Sequence, residues 1–231
     1  MEFAFNPLGD NAVIIRIADT IEQHNQKKIQ AIITALNETK PNWFIELIPA
    51  FTTVTVFYNP LKTQSESPYE EVCNKLYLLL KGMTAETNVI GQFVEIPVVY
   101  GGVLGPDLAY VAKYNGLSID EVIRIHTESI FDVSMIGFAP GFPFLSGMSK
   151  RIATPRKSTP RLVVPAGSVG IAGFQTGIYP IETPGGWQII GHTLTRLFRS
   201  EQKIPSLLKA GDRIKFTSIR AQERSYMSED V

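Results

Sequence analysis

Residues 154–161 read Thr-Pro-Arg-Lys-Ser-Thr-Pro-Arg and gather three cations, Arg156, Lys157 and Arg161, around two prolines. Proline fixes φ and stiffens such a loop, and guanidinium forks grip carboxylate or phosphate through two parallel hydrogen bonds. The chemistry suggested is capture of an anionic substrate or a nucleotide phosphate; the plain alternative is a solvated basic loop. His192 lies in a glycine-rich stretch with Gln175, Tyr179 and Trp187. If that stretch folds over itself, these groups converge on one pocket as acid–base or orienting residues. His126 falls on the apolar face of an expected helix, where a histidine is either catalytic or a satisfied core residue. His24 is expected on a helix surface. Phe138, Phe142, Phe144 and Phe174 supply apolar area, for core packing or, where exposed, for a partner surface.

Three motifs fail on inspection. Gly186 to Thr193 has the spacing of a phosphate loop with histidine in place of lysine, but it is strand-like and opens no helix. Ser168 follows a glycine, yet Ala166 stands where a nucleophile elbow needs its first glycine. Cys73 is the only cysteine and the three histidines are scattered, so neither an internal disulfide nor a zinc site is expected.

The elements that must position these residues fall into two textures. Ala12 to Ile17 reads as a buried strand, and Thr20 with Gln23 resembles a capping box opening a helix that carries Ile21, Ile29, Ile32, Ile33 and Leu36 inward. Strands follow at 43–48 and 51–58, then a helix after Pro68 burying Val72, Leu76, Leu79 and Leu80, then a strand at 93–100. This order, βαββαβ, predicts a ferredoxin-like split α/β domain over residues 1–90. Beyond Gly102, Pro106 opens a helix ending near Asn115-Gly116, and Ser118 with Glu121 caps another bearing Ile119, Val122, Ile123 and His126. From Gly137 to Gly191 the chain holds 10 of its 18 glycines and 7 of its 15 prolines, which excludes a long helix there. Short strands at 162–164, 169–172, 177–179, 187–190 and 213–217 then predict a small β-barrel. The fold class is α+β, with a barrel domain over 91–225 and a loose tail at 226–231.

Composition narrows the function. With 22 basic against 22 acidic residues the net charge is zero, and no basic stripe or charge block offers itself to nucleic acid or a membrane surface. No apolar run reaches the roughly 20 residues of a spanning helix. The first residues lack the pattern of a secretory signal, so a reduced, cytoplasmic setting is expected.

The strings SMIGFAPGFPFLSGM (134–148) and ATPRKSTPRLVVPAGSVGIAGFQTGIYPIETPGGWQIIGHT (153–193), with GLSIDEVIRIH, AGDRIKF, LGDNAV and VTVFY, carry a resemblance to the KipI/allophanate hydrolase subunit 1 family. That resemblance implies a cyclophilin-like carboxy-terminal barrel and the B-type role in a bacterial ATP-dependent 5-oxoprolinase. Such an enzyme opens the lactam of 5-oxo-L-proline to L-glutamate with ATP, and with Mg²⁺ accompanying the nucleotide. Its implied partners are a KipA-like protein, the C-type component, together with a separate A-type component. Under this reading Arg156, Lys157 and Arg161 lie near phosphate or carboxylate, and His126, Gln175, Tyr179 and His192 line a pocket shared with the KipA-like protein. His192 departs from the family, which usually carries arginine there. The resemblance also implies a competing role, inhibition of a sensor histidine kinase, with Phe138, Phe142 and Trp187 as the docking surface. Allophanate hydrolysis would need a nucleophile constellation that the sequence does not supply.

Overall fold

Alternating burial builds the first sheet. In β4 (Thr53–Tyr58) Val54, Val56 and Tyr58 point inward while Thr53, Thr55 and Phe57 are partly exposed, the period of two that a half-covered strand requires. β4 is flanked by β2 (Ala12–Arg16) and β3 (Phe44–Pro49), and β1 (Ala4–Leu8) closes the row in the order β1-β2-β4-β3, all antiparallel. Two helices, α1 (Gln23–Thr39) and α2 (Pro68–Lys81), bring Ile29, Ile32, Leu36, Val72, Leu76 and Leu80 onto Val13, Ile15, Val54 and Val56. The computed structural model describes residues 3–20, 23–81 and 91–220, without the side chains of 23 and 24. Ile21, the full Thr20–Gln23 cap, the side chain of His24 and the 226–231 tail therefore lie outside the described residues. The chain divides into two units, residues 1–90 and 91–231.

The expected βαββαβ order is corrected to ββαββα. Residues 93–100 do form a strand, but it belongs to the second unit, and the fourth strand of the first sheet is β1. The physical reason is local. Asn6 and Pro7 interrupt any apolar pattern in β1, and edge strands are where proline is tolerated.

The second unit runs β5 (Phe93–Tyr100), α3 (Leu108–Tyr114), α4 (Ile119–Glu128), β6 (Ile130–Ile136), β7 (Pro143–Ser146), β8 (Arg161–Val164), β9 (Ser168–Ala172), β10 (Gln175–Ile178), β11 (Thr183–Gly185), β12 (Gln188–His192) and β13 (Arg213–Ser218). Seven of these strands close into a barrel in the order β10-β7-β6-β13-β5-β12-β9. The pair β5–β13 is parallel and the other pairs are antiparallel. Strands β8 and β11 form a separate two-stranded ribbon. α3 ends where Asn115 is followed by Gly116 at φ 66°, a conformation glycine adopts freely. α4 opens on the Ser118/Glu121 capping box, with both reciprocal bonds present.

Strand alternation sorts the barrel's apolar residues into two clusters. Val169, Ile171, Ile178, Ile190, Phe131, Ile214 and Phe216 share one core with Leu108, Val111 and Val122 of the helices. The alternate positions Ala172, Tyr179, Trp187 and Ile189 join Phe142 and Val164 in a second, smaller cluster. Among the described residues no helix is long and apolar enough to cross a membrane.

Candidate functional site

The basic loop is fastened at both ends and is not a free solvated segment. Thr154 is buried and bridges Gly173, receiving a hydrogen bond from Gly173 N–H at 2.8 Å and one from Asn115 Nδ2 at 3.0 Å. Gln188 Nε2 donates to Pro155 O at 2.9 Å, and Lys157 N–H donates to Gly186 O at 2.8 Å. Arg161 begins β8 opposite Gly185 of β11. The backbone of the three cations is thus tied to the edge of the second apolar cluster.

The residue that organises them is Asp107, which the sequence reading did not single out. It sits at the N-terminal boundary of α3, but its side chain does not cap that helix. Asp107 N–H donates to Ile189 O at 2.9 Å, and Asp107 Oδ2 accepts Ile189 N–H at 2.7 Å. Oδ1 then receives Arg161 Nη2 at 2.8 Å and Lys157 Nζ at 3.4 Å. Burial alone would raise the Asp107 pKa, but the Arg161 bond, the Ile189 N–H and the charges of Arg161 and Lys157 outweigh it, and the net direction is down. Asp107 is therefore a fixed anion. With Arg156 nearby, the cluster keeps positive charge in excess of its one carboxylate.

An aromatic platform adjoins these cations. Trp187 and Phe142 meet edge to face at 5.4 Å, and Tyr179 packs on Phe142 at 5.3 Å and on Trp187 at 6.3 Å. Trp187 crosses the strand at Gly177, where an added Cβ would lie 2.8 Å from Pro143 O and 3.0 Å from the indole. The glycine is what lets the ring lie close to the backbone. The Arg156 guanidinium lies 6.0 Å from the Trp187 ring, within cation–π range. Burial raises the Tyr179 pKa, partly offset by the Trp187 N–H and by the Arg156 and Arg161 charges, so the phenol stays protonated. Phe138, 66% exposed and held at φ 70°, stands edge-on to Phe142 and Tyr179. A non-glycine residue in that backbone region carries strain, which the Gly137–Phe142 turn holds in place.

The other expected residues do not converge on this point. His126 is fully buried in the barrel core, stacked on Phe216 with ring centroids 4.4 Å apart. Thr176 donates its hydroxyl to Gly170 O at 3.0 Å, so it accepts from His126 Nε2 at 3.0 Å, and His126 Nδ1 accepts the Tyr100 hydroxyl at 2.7 Å. Both ring nitrogens are committed, and burial lowers the pKa to about 3. The catalytic assignment of His126 is corrected to a neutral core histidine. Gln175 and Tyr179 lie four residues apart along one strand direction, roughly 13 Å; His192 ends β12 about 16 Å from Trp187 by the same rise, though it pairs with Ser168, whose carbonyl accepts the Tyr179 N–H at 2.9 Å, and so stands one strand from Tyr179. There its ring packs against the Gly167 backbone. The segment Gln188–His192 is a strand rather than a phosphate loop. Of the expected partner surface, Phe142 and Trp187 are core residues and Phe138 is exposed; Phe174, left open between core and surface by the sequence, is exposed, as are Leu162 and Val163, which the reading did not place there. Among the described residues no group of three His, Cys, Asp or Glu side chains could hold a metal ion.

Comparison with known proteins gives this geometry a context. The carboxyltransferase domain family, subdomains C and D, matches residues 3–208. The 5-oxoprolinase B subunit of Bacillus subtilis (strain 168) is 49% identical over 98% of this chain and 96% of its own, and that of Escherichia coli O157:H7 is 40% identical over 90% and 93%. The crystal structure of TTHA0988 superposes with a TM-score of 0.78 at 33% identity, covering 91% of this chain but 40% of TTHA0988. The chain therefore belongs to the carboxyltransferase subdomain C and D family, in the branch that contains the 5-oxoprolinase B subunits.

Proposed function

We propose that this protein is the B subunit of an ATP-dependent 5-oxoprolinase, working with a KipA-like C-type component and a separate A-type component to hydrolyse 5-oxo-L-proline to L-glutamate. The observation that carries the proposal is the near-full-length identity to the B. subtilis protein. The cationic cluster beside an aromatic platform supports it, since 5-oxoproline offers one carboxylate and a compact hydrocarbon ring. TTHA0988, of which this chain matches 40%, is consistent with a domain that works beside further polypeptide. We read the barrel as the cyclophilin-like unit of the family. The amino-terminal sheet fits a permuted ferredoxin-like arrangement, with β1 in place of the last strand.

The chemistry follows from the substrate. A lactam carbonyl is a poor electrophile. Transfer of the ATP γ-phosphoryl group to the lactam oxygen gives an activated imidoyl phosphate and ADP; water adds to the carbon, the tetrahedral adduct expels the ring nitrogen as the free amine to leave γ-glutamyl phosphate, and a second water hydrolyses that acyl phosphate to glutamate and phosphate. Positioning and electrostatic stabilisation dominate such transfers, and Arg156, Lys157 and Arg161 are the residues here that serve them. Tyr179, as a protonated phenol, donates a hydrogen bond and does not act as a base. The lack of a phosphate loop and of a metal-binding cluster among the described residues leads us to assign ATP and its Mg²⁺ to a site completed by the KipA-like partner, in the cytoplasm. The isolated chain is then expected to be inactive.

The test is glutamate release from 5-oxoproline and ATP by the three proteins together, against the same mixture lacking this chain. Release that depends on this chain supports the proposal. Equal release in both mixtures overturns it and favours the kinase-inhibitor role.

A further inference from the structure

Arg161 presents its two terminal nitrogens to different surroundings. Nη2 donates to Asp107 Oδ1 at 2.8 Å, whereas Nη1 is buried and has no hydrogen-bond partner among the described residues. A buried guanidinium N–H without an acceptor is costly and calls for an explanation, and an acceptor that arrives with a ligand supplies one. The orientation of Nη1 is not left to chance. Asp107 is locked to the barrel by the two-way hydrogen bonding with Ile189, so its carboxylate is fixed and holds the guanidinium by Nη2, which leaves Nη1 uncommitted.

We propose that Asp107 is a positioning residue that fixes Arg161 so that Nη1 receives the carboxylate of the cyclic amide acid. This inference rests on the 5-oxoprolinase reading and adds the substrate contact to it. A single carboxylate suits the site better than a polyphosphate does. Asp107 already occupies one edge of the guanidinium and also draws Lys157 Nζ to within 3.4 Å, so the local field is that of a receptor for one negative charge. Tyr179 lies within reach of the Arg161 charge, and Phe138, 66% exposed and edge-on to Tyr179, offers an accessible apolar face for the ring carbons. A triphosphate would instead need several open cations or a nest of backbone N–H groups.

The test uses the assembled complex and compares 5-oxoproline with 2-pyrrolidone, which keeps the lactam and lacks the carboxylate. Arg161→Gln is expected to raise KM for 5-oxoproline about 10- to 100-fold, the range for a lost charge-assisted hydrogen bond. KM for ATP should stay within about twofold and kcat should change less than KM, the pattern of lost ground-state binding. The preference for 5-oxoproline over 2-pyrrolidone should shrink by the same factor. Asp107→Asn retains an acceptor for Ile189 N–H but loses the charge facing Arg161, and should move the same KM in the same direction by about 10-fold. Arg161→Lys, which keeps the charge without the fork, should rescue little, and an unchanged melting transition of each variant complex separates lost binding from misfolding. If KM for ATP rises instead, or if Arg161→Gln in a folded complex leaves the preference intact, the inference is overturned. A wild-type complex that releases no glutamate overturns the functional reading itself.

Discussion

The two units of this protein place their polar groups differently. In the first, the described core is almost wholly apolar, and only Asn25 and Gln26 are buried polar residues. The barrel unit buries Asp107, His126, Ser134, Thr154, Ser168, Thr176, Gln188, Thr193 and Asp212. Each buried polar group must find a partner or lose free energy, and in the barrel unit those partnerships build two distinct devices. The Tyr100–His126–Thr176–Gly170 chain is closed and serves the core. The Asp107–Arg161–Lys157 group leaves Arg161 Nη1 without a partner among the described residues. Buried polarity is thus concentrated in the barrel unit, in one closed set of hydrogen bonds and one open set.

One tryptophan lies buried in each unit, Trp43 in the first and Trp187 in the second, so fluorescence in Trp→Phe backgrounds follows each separately. The largest effect is expected from His126→Ala, which opens a cavity and strands the Tyr100 and Thr176 hydroxyls; denaturant unfolding should show the Trp187 transition weakened by about 4 kcal/mol. An unchanged midpoint would remove the hydrogen-bonded chain from the account. Gly177→Ala, which forces a Cβ between Pro143 O and the Trp187 indole, should weaken the same transition by about 2 kcal/mol. A pH series sharpens the point further. Because the folded pKa of His126 is lowered to about 3, the unfolded chain binds the extra proton, and stability is lost as pH falls below the unfolded value. The difference in unfolding free energy between wild type and His126→Phe should therefore fall by about 1.4 kcal/mol per pH unit between pH 6 and 4. A pH-independent difference would mean that the ring is charged or exposed. Smallest of all, Ile32→Val in the first unit should cost about 1 kcal/mol, seen by Trp43 and without the pH signature.

Legibility in the sequence followed the same division. Val72, Leu76 and Leu80 announced α2 because an apolar helix face leaves a period in the sequence, and the Ser118 box located the start of α4. β1 was hidden by Asn6 and Pro7, and β7 by its opening Pro143. The basic loop was legible as a cluster of charges, but Asp107 was not. Its partners are 50, 54 and 82 residues away, and nothing local marks a helix-boundary aspartate whose side chain turns from the helix to the barrel. His126 was legible as an apolar-face residue, and its spacing with Val122 correctly implied burial; the error was to attach catalysis to it. Trp187 and Phe142 stayed open between core, pocket and docking roles because Gly177, which admits them to the barrel's second cluster, is informative only once strand pairing is known.

The central claim is that the cations around Asp107 form the anion receptor of a 5-oxoprolinase. Its most direct test is kcat/KM for glutamate release from 5-oxoproline by the assembled complex carrying Arg156→Ala and Arg161→Ala together, with complex formation and melting checked on the same sample. The account predicts a loss of at least about 100-fold, the scale of two charge-assisted contacts removed together. A folded, assembled double variant with wild-type kcat/KM would contradict it.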